Sequence, residues 1–453
     1  MKYLSFFIAL LFPAAALASD FIESSVPRLQ SYLQIDTINP PGNESRGVTY
    51  LASLLEEADI PYETAESAPG RGNIWARIKG GDEPALVVLH HIDVVPADAA
   101  YWDVDPLSGE IVDGYIYGRG AIDTKGLGIA QLQAFLALHA SGRRLKRDVI
   151  YMATADEEAG GFFGAGWMLE NRREVFDNVG YLINEGGSGI ILGDIPAFSI
   201  EVTQKVPLWL RLTATDIPGH GSAPRINSSV KRILRAGDRI ANTSFERRVV
   251  PAVAEYFAAL SPFQSGERQR LMADMASAVT NESFMLSLQL EEPSRAALLS
   301  NTCSLTTLEG SNKINVVPPT AMLELDCRLL PDQDPDQFMA ELEVIINDPH
   351  IEITRIMGFT PAVSDQNTPL YDAIQRSVSL TFEDAVFIPS VSTGFTDSHF
   401  FRDVDIISYG FAPFLFPRGE RSGVHGNNER ISTENLKTAT RILTDFLFEF
   451  ATN

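Results

Sequence analysis

Three short apolar runs, with a helical pattern between them, constrain the fold of this chain more than any other feature. The runs cover 86–89, 149–153 and 181–183 and are apolar at nearly every position. Such runs are typical of strands that are buried on both faces. Between the first two, residues 126–140 carry apolar side chains at helical spacing, and Gly142 follows as a stop signal. Strands that alternate with helices predict an α/β fold with a mainly parallel central sheet.

The pattern changes after about residue 205. The next segment has the order strand, helix, strand, strand, helix, strand, with a charged helical insert after the first helix. The insert is predicted at about 245–299. The other elements are predicted, in chain order, at 208–214, 229–241, 302–308, 321–330, 337–346 and 351–356. That order describes a small α+β unit of its own. Buried-strand and helix patterns return from about residue 358. We therefore predict a domain of residues 19–205 plus 358–453 that is interrupted by an inserted domain, 206–357.

The first 18 residues have the pattern of a targeting segment. Lys2 is the only charge before Asp20, residues 4–17 are apolar apart from Ser5, and Ala-Leu-Ala at 16–18 offers a cleavage site. A secretory signal peptide is predicted, because the apolar run is too short to span a bilayer of about 30 Å. A short N-terminal membrane anchor is the alternative. We expect export to the periplasm or the outside of the cell, without membrane contact after cleavage.

The charge balance limits the partners that such a chain can have. Asp and Glu number 59 against 36 Lys and Arg, which gives a formal net charge of -23. A polyanion is repelled from such a surface, so nucleic acid and anionic membranes are poor partner candidates. The acidic balance suits a protein that binds cations.

The chain has two cysteines, Cys303 and Cys327, each in one of two neighbouring predicted strands. If those strands pair antiparallel about the turn-rich segment 310–319, the two cysteines come to lie nearly opposite each other. A disulfide would form there in an oxidising compartment, and two separate buried thiols are the alternative.

Acidic and histidine residues cluster where the predicted strands end. They follow each of the three apolar runs, precede the helix at 126–140 and occupy a Gly-rich loop before the last helix; the candidate metal ligands among them are His91, Asp123, Glu158, Glu185 and His425. In an open α/β sheet, ligands bind at the carboxyl ends of the strands. Each cluster alone could be a structural histidine or a solvated loop, but together they predict one site.

Two imidazoles and three carboxylates are ligands that zinc accepts, and one carboxylate can bridge two ions. Asp93, two positions after His91, is predicted to accept the other ring N–H of that histidine and to fix its tautomer. Glu157 adjoins a ligand but has no metal of its own, so it is free to act as a general base. Zinc is the predicted cofactor, and Co²⁺ or Mn²⁺ would fit the same mixed ligands.

These motifs resemble those of the aminoacylase/carboxypeptidase family of dinuclear zinc peptidases, most closely its carboxypeptidase S branch. The matching segments run from the N-terminal part of the chain to the last helix: DTINPPG at 36–42, HIDVVP at 91–96, GRGAIDTKG at 118–126, DEE at 156–158, NEGG at 184–187 and the loop around His425. The resemblance implies two zinc ions per subunit. Asp123 would bridge them, His91 and Glu185 would complete one site, and Glu158 and His425 the other.

The resemblance also implies roles for the inserted domain, which in this family is a lid that commonly mediates homodimerisation. His220, in PGHGS at 218–222, is similar to a histidine that reaches a partner subunit's active site and stabilises the oxyanion. Asn315 and Arg328 resemble a substrate-binding pair, and Gly394 resembles a backbone contact to substrate. Arginine suits a substrate carboxylate because its planar fork binds both oxygens.

The predicted function is a secreted zinc hydrolase that cleaves an amide bond next to a free carboxylate. It would act on peptides as a carboxypeptidase, with Glu157 as base and Asp93 as the carboxylate that orients His91. The first alternative is an N-acyl-amino-acid amidohydrolase. Two further alternatives are a protein that binds metal or peptide without turnover, and a structural dimer in which zinc only stabilises the fold.

Overall fold

The computed structural model describes residues 14–417 and 423–452 of the chain. These residues form two compact units. The first comprises the described parts of Met1–Phe198, Asn367–Val386 and Phe411–Asn453, and the second comprises Ser199–Gln366 and Phe387–Gly410. The second unit contains the whole of the predicted inserted domain, extends beyond it on both sides and also takes in a later segment, so the domain bounds predicted at 206 and 357 stay a prediction.

Helices and strands alternate through the first part of the chain. In order they are α1 (Ala14–Leu33), α2 (Glu44–Glu57), β1 (Tyr62–Glu66), β2 (Gly72–Ile78), β3 (Glu83–His91), β4 (Ile111–Val112), β5 (Tyr115–Tyr117), α3 (Lys125–Ala140), β6 (Arg147–Thr154), α4 (Ala165–Asn171), β7 (Val179–Asn184), β8 (Gly189–Leu192) and β9 (Ile195–Gln204). The three strands and the helix that the apolar runs predicted are all present, as β3, β6, β7 and α3.

The middle of the chain carries most of the second unit, and the last part returns to longer helices. The remaining elements are β10 (Val206–Thr215), β11 (Gly219–His220), α5 (Ser229–Ala241), α6 (Pro251–Leu260), α7 (Gly266–Ala273), α8 (Met275–Ala278), α9 (Glu282–Glu291), α10 (Pro293–Ala296), β12 (Thr302–Glu309), β13 (Val316–Val317), β14 (Thr320–Leu329), α11 (Pro335–Ile346), β15 (Ile351–Gly358), α12 (Pro369–Thr381), β16 (Val386–Ser392), α13 (Ser398–Arg402), β17 (Ile407–Gly410), β18 (Leu415–Phe416), β19 (Arg430–Ser432) and α14 (Thr433–Ala451).

The central sheet of the first unit has a parallel middle, as predicted. β3 pairs in parallel with β6 on one side and with β7 on the other, while β2 and then β1 extend the sheet beyond β6 in antiparallel fashion. Helix α3 is buried from Lys125 to Leu138 and packs against α1, α14 and β3. A helix that is buried on all sides over most of its length belongs inside a layered fold, which is where the structure places it.

The second unit contains a four-stranded antiparallel sheet in the order β12-β14-β10-β15. One face of this sheet is buried against the apolar sides of α5 and α11, which form one core with it. Cys303 lies directly opposite Cys327 in the β12–β14 register, and the two form a disulfide. The predicted alternative of two separate thiols is therefore wrong.

The helical insert predicted at about 245–299 is present as the short helices α6 to α10. Within the described residues, no helix combines the length and the apolar character needed to cross a membrane. The predicted signal peptide, 1–18, falls almost entirely outside the described residues, since the description begins at residue 14.

Candidate metal centre

All five predicted metal ligands lie in the first unit, at or just beyond the ends of its elements. His91 is the last residue of β3, and Glu185 directly follows β7. Glu158 lies in a single 3₁₀ turn after β6, and Asp123 lies two residues before α3. His425 occupies the loop before β19, with φ at 55°. Because β3, β6 and β7 are parallel neighbours, their carboxyl ends meet at one edge, and the ligands converge there.

The side chain of Asp123 lies between the two histidines. Its Oδ1 is 3.1 Å from Nε2 of His91, and its Oδ2 is 3.1 Å from Nε2 of His425. Glu185 Oε1 lies 3.6 Å from the first imidazole nitrogen, and Glu158 Oε2 lies 3.1 Å from the second. The cluster therefore divides into two triplets that share one carboxylate.

Main-chain contacts decide which nitrogen of His91 faces this cluster. Nδ1 lies 2.8 Å from the carbonyl oxygen of Asp93, a group that only accepts, so Nδ1 carries the hydrogen. The lone pair of Nε2 then points at the carboxylate of Asp123. Two electron-rich groups 3.1 Å apart repel each other unless a proton or a metal ion lies between them.

The charges of the cluster shift the pKa of every member. Burial opposes protonation of His91, but Glu185 and Asp123 raise its pKa well above the usual value. Asp123 and Glu158 likewise raise the pKa of His425 to about 10. Burial raises the pKa of Glu158, and raises that of Glu185 to about 7. The pKa of Asp123 is lowered despite its burial, because two imidazoles flank it. Together, these shifts indicate that the three carboxylates of the cluster have too little positive charge around them.

The cluster fits divalent ions in both chemistry and spacing. Adjacent ligands of a tetrahedral site with bonds of about 2.05 Å lie about 3.3 Å apart, which matches the separations of 3.1 to 3.6 Å found here. The second oxygen of Glu158, Oε1, is buried without a hydrogen-bond partner among the described residues. A buried carboxylate oxygen without a donor is costly, and a cation beside it removes that cost.

Glu157 lies beside the cluster, as its predicted role requires. It is buried, its main-chain N–H donates to Asp93 Oδ1 at 3.1 Å, and its carboxylate oxygen lies within 4.8 Å of ligand atoms of His91 and Glu185. The geometry alone thus permits two roles, a third ligand of that ion or a base next to it.

Asp93 faces His91 with both its main chain and its side chain. Its main-chain oxygen lies 2.8 Å from Nδ1 of the histidine, and its Oδ1 lies 3.5 Å from the same nitrogen. The carboxylate also accepts the main-chain N–H groups of Glu157 and Glu158 and a side-chain N–H of Asn39. The orienting role of the Asp93 carboxylate toward His91 therefore stays a prediction, and the same carboxylate also holds the Glu157–Glu158 turn.

Sequence reasoning missed the function of Glu429, a buried residue four positions after His425. Its carboxylate accepts the main-chain N–H groups of Gly120, Ile122 and Asp123 at 2.8 to 3.0 Å and a guanidinium N–H of Arg119 at 2.7 Å. Arg119 also donates to the carbonyl of Gly426. Glu429 thus connects the loop of the shared carboxylate to the loop of His425. The only signal for Glu429 in the sequence was its position in the GVHGNNE segment, which also contains His425.

A second missed group supports the turn that carries Glu157. Arg71 pairs with Asp156 at 2.9 Å and donates to Asn39 Oδ1 at 3.1 Å. Asn39, within the DTINPPG segment, donates in turn to the carboxylate of Asp93. The N-terminal motif therefore contributes hydrogen bonds that hold the turn of Glu157 in place.

The four remaining predicted residues lie in the second unit, where they form two pairs. His220 is on β11, which pairs with β13, and the N–H of Gly221 donates to the carbonyl of Asn315 at 2.8 Å. The main-chain N–H of Ser222 donates to Nδ1 of His220 at 3.1 Å. A backbone N–H can only donate, so the neutral imidazole carries its own hydrogen on Nε2. His220 is exposed and presents that nitrogen as a donor.

Arg328 lies near the loop that contains Gly394. Its guanidinium carbon is 5.6 Å from the centre of the Phe395 ring, and the N–H of Gly394 donates to the hydroxyl of Ser392. Two N–H groups of Arg328 pair with Asp326, while Nη1 is buried without a hydrogen-bond partner in the described part of the chain. The predicted carboxylate binder therefore keeps donor capacity that this unit does not use.

The chain was compared with known proteins. A family model described as peptidase family M20/M25/M40 matches residues 87–449. The N-fatty-acyl-amino acid synthase/hydrolase PM20D1 of Xenopus tropicalis is 31% identical over 83% of this chain and 74% of that protein. The probable carboxypeptidase S-like 2 of Dictyostelium discoideum is 28% identical over 83% of this chain and 73% of that protein.

The fold matches a solved structure over almost its whole length. An M20 family metallo-carboxypeptidase, Sso-CP2 from Sulfolobus solfataricus, superimposes with a TM-score of 0.75 and 20% identity, covering 94% of this chain and 99% of that one. The family resemblance and the α/β fold class predicted from the motifs are both confirmed. The ligand cluster, the fold and the family model agree, and the chain is a hydrolase that belongs to peptidase family M20/M25/M40.

Proposed function

We propose that this protein is a dinuclear metal-dependent amidohydrolase whose substrates are N-acyl amino acids with a free carboxylate. One observation carries the proposal: the two oxygens of Asp123 face two different imidazoles, each with a further carboxylate beside it. A single ion needs no such division, whereas two ions bridged by one carboxylate do. The substrate class is supported by similarity to a relative named as an N-fatty-acyl-amino acid synthase/hydrolase.

His91, Asp123 and Glu185 would hold one ion, and Asp123, Glu158 and His425 the other. Zinc is the proposed metal, because its usual ligands are imidazole and carboxylate groups. Co²⁺ and Mn²⁺ are the other ions that these ligands accept. When bound, such ions polarise a carbonyl group and make a water molecule more acidic.

Glu157 is the proposed general base. It would take a proton from the attacking water and pass it to the leaving amine, so one carboxylate serves as base and then as acid. The Asp93 carboxylate holds the turn that carries Glu157 through two main-chain N–H groups. This hydrogen bonding fixes the position of the base without using its side chain.

Two residues of the second unit would act on the substrate itself. His220 is proposed to donate from Nε2 to the oxyanion, a role that needs the tautomer favoured by the main-chain N–H of Ser222. Arg328 is proposed to bind the substrate carboxylate, with Asn315 and Gly394 contributing further contacts. Nη1 of Arg328 is buried and has no hydrogen-bond partner in the segments that the structure describes, which supports this role, since charged donors rarely stay unpaired.

Two adjacent exposed phenylalanines support an apolar acyl group. Phe162 and Phe163 are 48% and 43% exposed and follow the Glu157–Glu158 turn after two glycines. The backbone of Phe163 is fixed, because its N–H donates to Asp156 and its carbonyl accepts from Ser67 and Asn73. Large exposed apolar side chains close in sequence to the proposed base are typical of a binding surface.

Carboxypeptidase activity on peptides is the second candidate function. It is the activity first expected from the motifs, and similarity to a protein named as carboxypeptidase S-like supports it. Both functions use the same base and the same carboxylate contact. They differ only in the group on the other side of the amide bond.

We also propose that the protein is exported and that it forms a homodimer through the second unit. Export is supported by the signal-peptide pattern and by the disulfide, which persists in oxidising compartments. β12 is an edge strand of its sheet, and Leu308 on it is 60% exposed. An exposed apolar edge is a surface that a second copy would cover. Mass spectrometry of the mature N-terminus and light scattering of the purified protein test these two proposals.

The deciding experiment measures hydrolysis by the zinc-loaded protein of N-acetyl-, N-dodecanoyl- and N-glycyl-phenylalanine. Each compound is tested as the free acid and as the amide. We expect the free acids to be cleaved at a higher kcat/KM than the amides, with the dodecanoyl compound best. Preference for the glycyl dipeptide would favour the carboxypeptidase, and no cleavage of any compound would reject both functions. The variant Phe162→Ala should lower kcat/KM for the dodecanoyl compound but not for the acetyl one.

A further inference from the structure

The strand that carries Arg328 has one face in the core and one face that is only partly buried. Along β14 every second side chain is buried in the core with α5 and α11: Ala321, Leu323, Leu325, Cys327 and Leu329. The residues between them are half-buried and polar at three successive positions, Glu324, Asp326 and Arg328. Residues two apart on a strand share a face, so these three side chains lie in one row.

Asp326 holds one edge of the Arg328 guanidinium group. Arg328 Nε donates to Asp326 Oδ1 at 2.7 Å, and Nη2 donates to Oδ2 at 3.1 Å. This is a paired, side-on contact of the kind that fixes a guanidinium plane. Trp209, directly opposite Asp326 on β10, donates its indole N–H to the same Oδ1 at 3.0 Å.

An aromatic ring limits the remaining freedom of the group. The guanidinium carbon lies 5.6 Å from the centre of the Phe395 ring, and the rings of Trp209 and Phe395 meet edge to face at 6.5 Å. Arg328 is thus held by a carboxylate along one edge and approached by an aromatic ring. Its other edge, formed by Nη1 and the second hydrogen of Nη2, stays available, and Nη1 is buried without a hydrogen-bond partner among the described residues.

We infer that Asp326 and Trp209 are positioning residues that present the free edge of Arg328 to the substrate's carboxylate and thereby set the preference for free acids. The inference rests on the proposed function and adds to it the residues that orient the carboxylate contact. Two parallel N–H groups on that edge match the two oxygens of a carboxylate. An amide in the same place would face them with an NH₂ group, which only donates, so the oriented edge rejects it.

A pair on the same face provides a matched control. Glu324, two residues before Asp326, accepts two N–H groups of Arg211 in a similar contact between β14 and β10. This pair has the same chemistry and lies on the same face of the sheet, but it joins two strands and, among the described residues, forms no hydrogen bond with Arg328. Glu324→Gln removes one carboxylate from the row without touching the proposed positioning network.

The experiment compares Asp326→Asn, Asp326→Glu, Trp209→Phe and Glu324→Gln in the zinc-loaded full-length protein. kcat and KM are measured for N-acetyl-phenylalanine and its amide. Asp326→Asn places an NH₂ group where Arg328 needs an acceptor, so KM for the free acid should rise about tenfold or more with little change in kcat. The ratio of kcat/KM for the free acid to kcat/KM for the amide should fall by the same factor as KM for the free acid rises. Trp209→Phe should give a smaller fall, Asp326→Glu should restore part of it, and Glu324→Gln should leave the ratio unchanged.

The outcomes separate this inference from the proposed function. Arg328→Gln is the reference, and it should remove most of the preference for the free acid. If it does so while Asp326→Asn and Trp209→Phe keep the wild-type ratio, the carboxylate contact stands and the positioning role is wrong. If the wild-type protein cleaves neither compound, the proposed function itself fails. If Asp326→Asn does not fold, Trp209→Phe decides, since it removes one hydrogen bond and keeps most of the ring.

Discussion

The candidate metal centre and the Arg328 region use carboxylates in opposite ways. In the first unit, Glu429 and Asp93 bind main-chain N–H groups and so fix loops that carry the functional side chains. In the second unit, Asp326 directly binds the side chain of Arg328, the proposed carboxylate contact, from the same face of the same strand. The carboxylates of the first unit thus position the main chain of whole loops, whereas Asp326 positions one guanidinium group.

This difference suggests a division of work between the two regions. A metal centre needs several ligands within a few tenths of an ångström, and hydrogen bonds to the loops position all of them together. A substrate contact needs one oriented group that can be replaced without disturbing the chemistry. Changes in the first region should therefore affect every substrate equally, while changes in the second should alter the choice among substrates.

Removal of the metal should have the largest effect on activity. It tests the first half of the comparison, which is that changes in the first region affect every substrate equally. Dialysis against a chelator should abolish hydrolysis of every substrate, and Zn²⁺ should restore it. Circular dichroism should stay close to that of the loaded protein, because the ligands lie on loops that hydrogen bonds and the sheet also support. Unfolding on chelation would instead favour a structural role for the ions.

Glu157→Gln should lower kcat by about 10²- to 10⁴-fold, since that is the usual contribution of a general base. The amide keeps the size of the side chain and removes its proton affinity. Free acids and amides should lose activity equally, as the comparison requires. Metal content, measured by atomic emission, should stay at the wild-type value. A loss of one ion would show that Glu157 is a ligand, a role that its distance from His91 and Glu185 also permits.

Glu429→Gln tests whether the main-chain N–H groups around Asp123 matter for metal binding. The amide keeps one acceptor oxygen but turns an NH₂ group toward groups that donate. Metal affinity should fall by about 10- to 100-fold, as is usual when a partner of a ligand is changed. Titration calorimetry of the chelator-treated protein measures this. Glu434→Gln, an exposed position at the start of α14, serves as the control and should bind metal as the wild type does.

Most of the fold and most of the ligand set were predictable because both depend on short-range patterns. Helix α5 begins and ends at the predicted residues, since its apolar spacing and its Ser228 cap are local signals. The opposition of Cys303 and Cys327 followed from counting residues about one turn. The convergence of the ligands followed from the rule that parallel strands end at a common edge.

The residues that sequence reasoning missed are those whose role depends on a distant partner. Nothing local distinguishes Glu429, a carboxylate that accepts four N–H groups, from an acidic residue in a solvated loop. The spacing of Asp93 from His91 suggested a side-chain contact, but it gave no sign that the same carboxylate also accepts N–H groups from the Glu157–Glu158 turn, more than sixty residues away. Such contacts are settled by the tertiary structure.

Removal of the disulfide should have the smallest effect on function. It tests whether Arg328 is positioned by single side chains, which is the second half of the comparison. Cys327 lies between Asp326 and Arg328 in sequence, but its side chain is on the buried face of β14. Replacing both cysteines by serine removes a cross-link between positions 24 residues apart. From the added entropy of the unfolded chain, this should lower the free energy of unfolding by about 3 kcal/mol. Denaturant titration should show that loss, while metal content and the acid-to-amide ratio stay within about twofold of wild type, which is the spread of ordinary surface changes. A large fall in the ratio would mean that Arg328 depends on the whole strand rather than on Asp326 and Trp209.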